Sequence, residues 1–339
     1  MSIQTRVLVA AVAVSAASSL AVAQTGPELL LNPLPEDVEF ETMTHALIFE
    51  TGSTSDGFSA GLDIFQSEGR LRIPGGEDDI LRRAQARVGY NITHLYLDTG
   101  DPLLPEELVD VSIGYGMGLF QSEDKTIVAG LTLGVGYAGA GAFDDGNAWY
   151  ALANLAVGKE FTQNGKYFKA GDRFGVVINF DGNRTIFPDF PLLGFQYTRP
   201  VTEELELSVG FPFSSVTWRP DDNWEIRLNY SLPDSFTGRI DYGFREGFGI
   251  FGEIAGQSEA FAVDDLPNGN DRILFQQSRL EMGLRYRVQE TKDYRANAIL
   301  AIGYAFDTEF NVGFDVRDED SLTDISDEAY VRAAVELRF

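Results

Sequence analysis

Ala329-Tyr330-Val331-Arg332-Ala333-Ala334-Val335-Glu336-Leu337-Arg338-Phe339 stands at the carboxyl end and has the two-faced pattern of a strand. Side chains on a strand alternate between two faces, so Val331, Ala333, Val335, Leu337 and Phe339 share one side while Arg332, Glu336 and Arg338 share the other. An apolar face backed by a charged one suits a wall with hydrocarbon on one side and water on the other. On a helix the same spacing would smear charge around the whole circumference.

The period of two recurs upstream. Val109, Val111, Ile113, Tyr115, Met117 and Leu119 alternate with Asp110, Ser112, Gly114, Gly116 and Gly118; Leu205, Leu207 and Val209 alternate with Glu204, Glu206 and Ser208. Ile226, Leu228 and Tyr230 alternate with Glu225, Arg227 and Asn229, and Leu280, Met282, Leu284 and Tyr286 with Arg279, Glu281, Gly283, Arg285 and Arg287. Polar turns such as Asp181-Gly182-Asn183 and Pro220-Asp221-Asp222-Asn223 punctuate these runs, which makes hairpins the default connection. The segments read as 41–50, 57–66, 80–96, 107–119, 125–138, 147–161, 171–180, 189–198, 203–218, 223–231, 235–244, 247–258, 272–288, 294–316 and 329–339. That makes an odd number, whereas single-chain bacterial barrels use an even one, so either the first segment lies outside the wall or the stretch around Pro212 splits. The expected fold is all-β: a closed antiparallel up-and-down transmembrane β-barrel of about 14 strands, within a range of about 12 to 16. Counting back from the carboxyl terminus puts the connections 317–328, 259–271 and 67–79 on the outer side.

The amino terminus fits this address. Residues 1–23 carry Arg6, the apolar run Val7 to Val14 and Ala21-Val22-Ala23, the layout of a cleaved secretory signal peptide. Residues 24–40, with Pro27, Pro33 and Pro35, read as an irregular periplasmic lead-in, and 41–339 as the barrel. No run approaches the ~20 apolar residues of a membrane helix, so a membrane location requires a barrel. The absence of cysteine excludes a small disulfide-stapled scaffold, and a net charge of −26 disfavours nucleic acid.

Candidate chemistry is sparse. Gly134-Val135-Gly136-Tyr137-Ala138-Gly139 spells a dinucleotide motif, but no helix follows it, and no cofactor is expected. Of the two histidines, His94 shares the apolar face with Tyr90 and Ile92 as a rim residue, away from Thr93, so no catalytic residue is assigned. Alternation turns Arg83, Arg87, Glu204, Glu206, Glu225, Arg227, Arg239, Asp241, Arg279, Glu281, Arg285 and Arg287 inward as candidate lumen lining, a mixture of signs suited either to ion pairs that fill the lumen or to solute selection. Trp149, Tyr150, Phe161, Trp218, Trp224, Tyr242, Phe244, Phe248 and Phe310 are candidates for aromatic girdles at the water boundaries. Acidic clusters at Glu77-Asp78-Asp79, Asp264-Asp265 and 315–328 are solvated charge, with weak divalent-cation binding as the alternative; no metal ligand is assigned.

The signal at Ala21-Val22-Ala23, the alternation and the Val331–Phe339 ending together resemble bacterial outer-membrane β-barrel proteins. Pro191–Tyr197, Leu207–Pro212 and Val216–Pro220 are similar to a family of functionally uncharacterised barrels. That resemblance implies outer-membrane lipid and the barrel-insertion machinery as partners, with Val331, Val335, Leu337 and Phe339 as the insertion signal. Tyr330 stands one step out of phase with the outward aromatic of such signals. The implied function is a porin-like passive channel or transporter for small solutes. A plugged structural or surface-binding barrel, an outer-membrane lipid hydrolase and a soluble secreted β-sandwich are the alternatives.

Overall fold

The computed structural model describes residues 38–339, apart from 56, 74–86, 101–103, 125, 142, 144, 232–234, 265, 267 and 292–293. Its strands are β1 (Phe40–Phe49), β2 (Gly52–Ser53), β3 (Ser59–Arg72), β4 (Arg87–Asp98), β5 (Glu107–Gln121) and β6 (Ile127–Ala140). They continue as β7 (Trp149–Glu160), β8 (Arg173–Asp181), β9 (Leu192–Pro200), β10 (Leu205–Phe211), β11 (Phe213–Asp221) and β12 (Trp224–Ser231). The rest are β13 (Ser235–Arg245), β14 (Phe248–Ala262), β15 (Arg272–Glu290), β16 (Arg295–Gly313), β17 (Asp320–Ile325) and β18 (Glu328–Arg338). With the short β2 and β17 set aside as additions at one end, 16 strands form a closed antiparallel barrel. Closure joins β1 to β18, with Glu41 opposite Arg338 and Ile48 opposite Val331.

The strand number exceeds the expected fourteen because both ambiguous segments belong to the wall. β1 is the first wall strand, and the 203–218 segment splits into β10 and β11 around Pro212, whose ring nitrogen has no proton for a ladder hydrogen bond. The split also inverts the topology upstream of it. The connections 259–271 and 317–328 do lie opposite the carboxyl terminus, but β3 runs into the 67–79 region at the carboxyl-terminal end, where Phe40 faces Leu71. One uncounted hairpin changes the side of every earlier connection.

The wall is inside out relative to a water-soluble protein. Leu193, Val209, Met282, Leu300 and Ile302 are exposed on its outer face, while Arg227, Arg239, Asp241, Glu281 and Arg332 are buried within. Apolar burial cannot explain such an arrangement in water; a hydrocarbon surround does. Outward aromatics gather at the carboxyl-terminal rim, where Trp224 packs on Tyr242 at 4.6 Å, Phe248 on Tyr286 at 4.6 Å and Phe40 on Phe339 at 5.0 Å. Trp218, Phe244 and, at the opposite end, Trp149 are exposed as expected of girdle residues, and Phe161 stacks on Phe168 at 4.1 Å. Tyr150 and Phe310 are not girdle residues. Tyr150 is next to outward Trp149 and therefore turns inward, its ring filling the place that a Cβ on Gly136 would take. A register shift near Asp307, which has φ 51°, changes the phase of β16 and carries Phe310 into the interior.

The interior is not a uniform tube. β13 pairs with β14 only as far as Phe236 opposite Gly256, so residues 257–262 of β14 have β15 as their sole antiparallel neighbour among the described residues. Freed on one edge, this segment folds across the lumen, and Ala262 reaches Gly139 of β6 in a parallel bridge. Its Phe261 packs with Ile273, Phe275 and Phe310 against Leu47, Leu95 and Leu108, all 0% exposed. The end opposite the carboxyl terminus is thus sealed on this side by a dry apolar cluster.

Candidate functional site

Below the cluster the lining becomes polar, and its first layer ties opposite walls together. Glu259 of β14 accepts hydrogen bonds from Gln66 (3.2 Å) and Thr93 (3.3 Å), which belong to β3 and β4. His45 Nε2 lies 2.7 Å from Gln66 Oε1. Tyr150 donates to Asp110 at 2.7 Å and Asn183 to the other Asp110 oxygen at 3.0 Å. These residues surround a cavity of ≈ 380 Å³, whose other side is formed by Arg239, Glu253, Gln257 and Arg279 and by the rim residues Phe187, Phe211 and Phe213. The rim is low here because β9 to β13 are short. The loop carrying Phe187 is fixed from outside: the Phe187 N–H donates to Asp315 at 3.3 Å, and Arg272 donates to the carbonyls of Arg184 (3.0 Å) and Phe314 (2.7 Å).

A lattice of ion pairs forms the next layer. Arg219 meets Glu225 at 3.2 Å, Arg227 meets Glu225 at 2.9 Å and Asp241 at 3.0 Å, and Arg239 meets Asp241 at 2.8 Å and Glu253 at 3.1 Å. Arg285 approaches Asp241 at 3.5 Å. The guanidinium of Arg239 lies 4.0 Å from the centre of the Phe251 ring. On the neighbouring strands Glu281 pairs with Arg332 and accepts from Tyr330 at 3.0 Å, Asn297 donates to Glu336 at 3.0 Å, and Arg70 pairs with Glu41. Charges inside a low-dielectric wall are tolerated only when paired in this way, since leaving one alone costs several kcal/mol.

Of the residues singled out in the sequence, Glu225, Arg227, Arg239, Asp241, Glu281 and Arg285 meet in this lattice. Arg87 is buried on β4, Glu206 pairs with Arg173 at 3.0 Å, and Arg287 pairs with Glu290 at 2.5 Å. Arg279 Nη1 has no hydrogen-bond partner among the described residues. Glu204 lies in the exposed turn before β10 rather than along the wall, and Arg83 lies outside the described residues. The acidic clusters divide similarly: Asp315 is engaged by Arg317, Asp264 lies in a connection, and Glu77, Asp78, Asp79 and Asp265 lie outside the described residues. Gly134 to Gly139 run straight through β6, and the short 3-10 turn Gly146–Ala148 that follows starts well past the glycines rather than within them. His94 is outward near the strand end, stacked on Tyr96 at 3.8 Å and 3.3 Å from Glu107.

Sequence reading missed His45, Asp110, Glu253 and Glu259. Asp110 was visible as a gap filler in the alternation of β5, and Glu253 as the residue between outward Gly252 and Ile254. Glu259 carried no signal, because its strand was expected to end one residue earlier.

No protein-family model and no curated protein matches the chain. Among solved structures, the Pseudomonas putida toluene transporter TodX is 9% identical with a TM-score of 0.36, over 94% of this chain and 94% of that one. The Ralstonia pickettii toluene transporter TbuX is 10% identical with a TM-score of 0.33, over 95% of each chain. The translocator domain of autotransporter NalP from Neisseria meningitidis is 8% identical with a TM-score of 0.30, over 89% of this chain and 88% of that one. Values this low bring none of those activities here. By its own closed wall, lipid-facing apolar surface and charged interior, the chain is a transmembrane β-barrel of the outer-membrane type.

Proposed function

We propose that the barrel, exported by a signal peptide at residues 1–23 and inserted through the terminal strand ending in Phe339, passes small solutes across a bacterial outer membrane by way of the internal cavity. It is a binding-type channel rather than an open diffusion pore. The observation that carries this reading is the polar cavity of ≈ 380 Å³ held between an apolar seal and an ion-pair lattice inside a lipid-facing wall. A structural barrel without transport is the second reading, favoured by the 0% exposure of the seal.

Planar-bilayer recording separates the two. Purified protein is expected to show little steady conductance, and Phe261→Ala, which removes the largest side chain that β14 places in the seal, to show discrete openings. A silent membrane for both proteins overturns the channel reading in favour of the structural one.

A further inference from the structure

The cavity presents polar atoms that no described residue satisfies. Glu259 Oε1 is taken by Gln66 and Thr93, but Oε2 has no hydrogen-bond partner among the described residues, and the same holds for His45 Nδ1, Arg279 Nη1 and Gln257 Nε2. All four residues line this one cavity. Their roles can be assigned from the network. Gln66 spends its amide N–H groups on Thr93 and Glu259, so its carbonyl oxygen faces His45 Nε2. His45 Nε2 is therefore the donor, and Nδ1 carries the free lone pair. Two acceptors, Glu259 Oε2 and His45 Nδ1, thus share the cavity with two donors, Arg279 Nη1 and Gln257 Nε2.

Buried groups of this kind are costly when left alone and stabilising when a ligand completes them. An anion would satisfy Arg279 and repel Glu259; a cation would do the reverse; a polyol would meet the hydrogen bonds and neither charge. Arg279 stands opposite Ala255, four residues below Glu259 on β14. At ~3.4 Å per residue this separates the two backbone anchors by ~14 Å, a span that two long side chains and a compact ligand bridge together.

We propose that the cavity is a binding site for a small zwitterion of amino-acid to dipeptide size, with its ammonium group at Glu259 and His45 and its carboxylate at Arg279 and Gln257. This deepens the transport reading by naming the solute class, yet binding is measurable without flux. The test is isothermal titration of the detergent-solubilised full-length barrel with glycyl-leucine, with N-acetyl-glycyl-leucine amide as the uncharged counterpart. Glucose serves as the polyol.

Glycyl-leucine is expected to bind, with the blocked peptide and glucose at least tenfold weaker. Glu259→Gln, which keeps the shape of the residue it replaces, and Arg279→Gln, which removes the guanidinium and keeps a shorter polar side chain, are each expected to weaken binding at least tenfold while the unheated protein keeps the compact gel mobility of a folded barrel. Equal binding of the blocked peptide, indifference to both substitutions, or no binding by the folded barrel overturns the proposal. Flux without zwitterion binding would sink this site and spare the channel; binding with a silent bilayer would do the opposite.

Discussion

Arg239 shows how single residues hold this barrel. It lies between Asp241 and Glu253 and above the Phe251 ring, and all three contacts lie inside the wall. Arg239→Met keeps much of the side-chain volume but strands the Glu253 carboxylate and leaves Asp241 to Arg227 and Arg285, so a loss of about 3–5 kcal/mol is expected, read as a lower urea midpoint in lipid vesicles. Asp172, in the turn before β8, is the pH-sensitive counterpart. Two bonds from Arg199, at 2.6 and 3.0 Å, hold its carboxyl well below the usual carboxylate range against the opposing effect of burial, with help from the Tyr197 hydroxyl at 2.5 Å and the Lys169 N–H at 2.7 Å. A carboxyl depressed by folding contributes its stability above the unfolded pKa, about 4, and loses it as pH falls through the lower folded value. Chymotrypsin-like cleavage beside exposed Tyr167 is therefore expected to rise between about pH 4 and pH 2, assayed with an acid-stable protease, and Asp172→Asn to be labile already at neutral pH. At this scale the sequence disclosed which side chains turn inward, since alternation alone selects Arg239 and Asp241. It did not disclose partners, because pairing depends on register between strands distant in the chain.

The upper part of β14 is the element on which the interior depends. Its first half is an ordinary wall strand; its second half, lacking β13 beside it, crosses to β6 and seals one side. Phe261→Ala is expected to cost about 3–5 kcal/mol, because the hole it leaves is ringed by side chains already packed without solvent. The loss should appear as a lower temperature for conversion of the compact gel form. Strand boundaries were legible to within a few residues wherever alternation was long, as in β5, β15 and β18. Two local features hid the rest. Pro212 sits in a run that keeps alternating on both sides, so the turn there carries no polar punctuation. The phase change near Asp307 leaves the composition of β16 untouched, and so Phe310 read as outward.

For the whole molecule the deciding fact is the direction of its two surfaces: lipid-facing residues are apolar and the enclosed ones charged. The −26 net charge belongs to the sequence as a whole, yet the described lumen balances arginine against carboxylate in nearly every contact. The fold class was visible because a period of two over fifteen segments, an amino terminus laid out like a secretory signal and the alternation of the last strand all agree. Whether the tube is open was not, since that follows from β14 bending inward, a consequence of unequal strand lengths on its two sides.

The most direct test of the inside-out wall places single cysteines at successive positions of β16 in this naturally cysteine-free chain, each labelled with bimane and reconstituted into vesicles containing brominated lipid. Strong quenching is predicted at Leu300→Cys and Ile302→Cys and weak quenching at Ile299→Cys and Ala301→Cys. Equal quenching at all four positions, or the reversed pattern, would contradict a barrel whose outer face meets hydrocarbon.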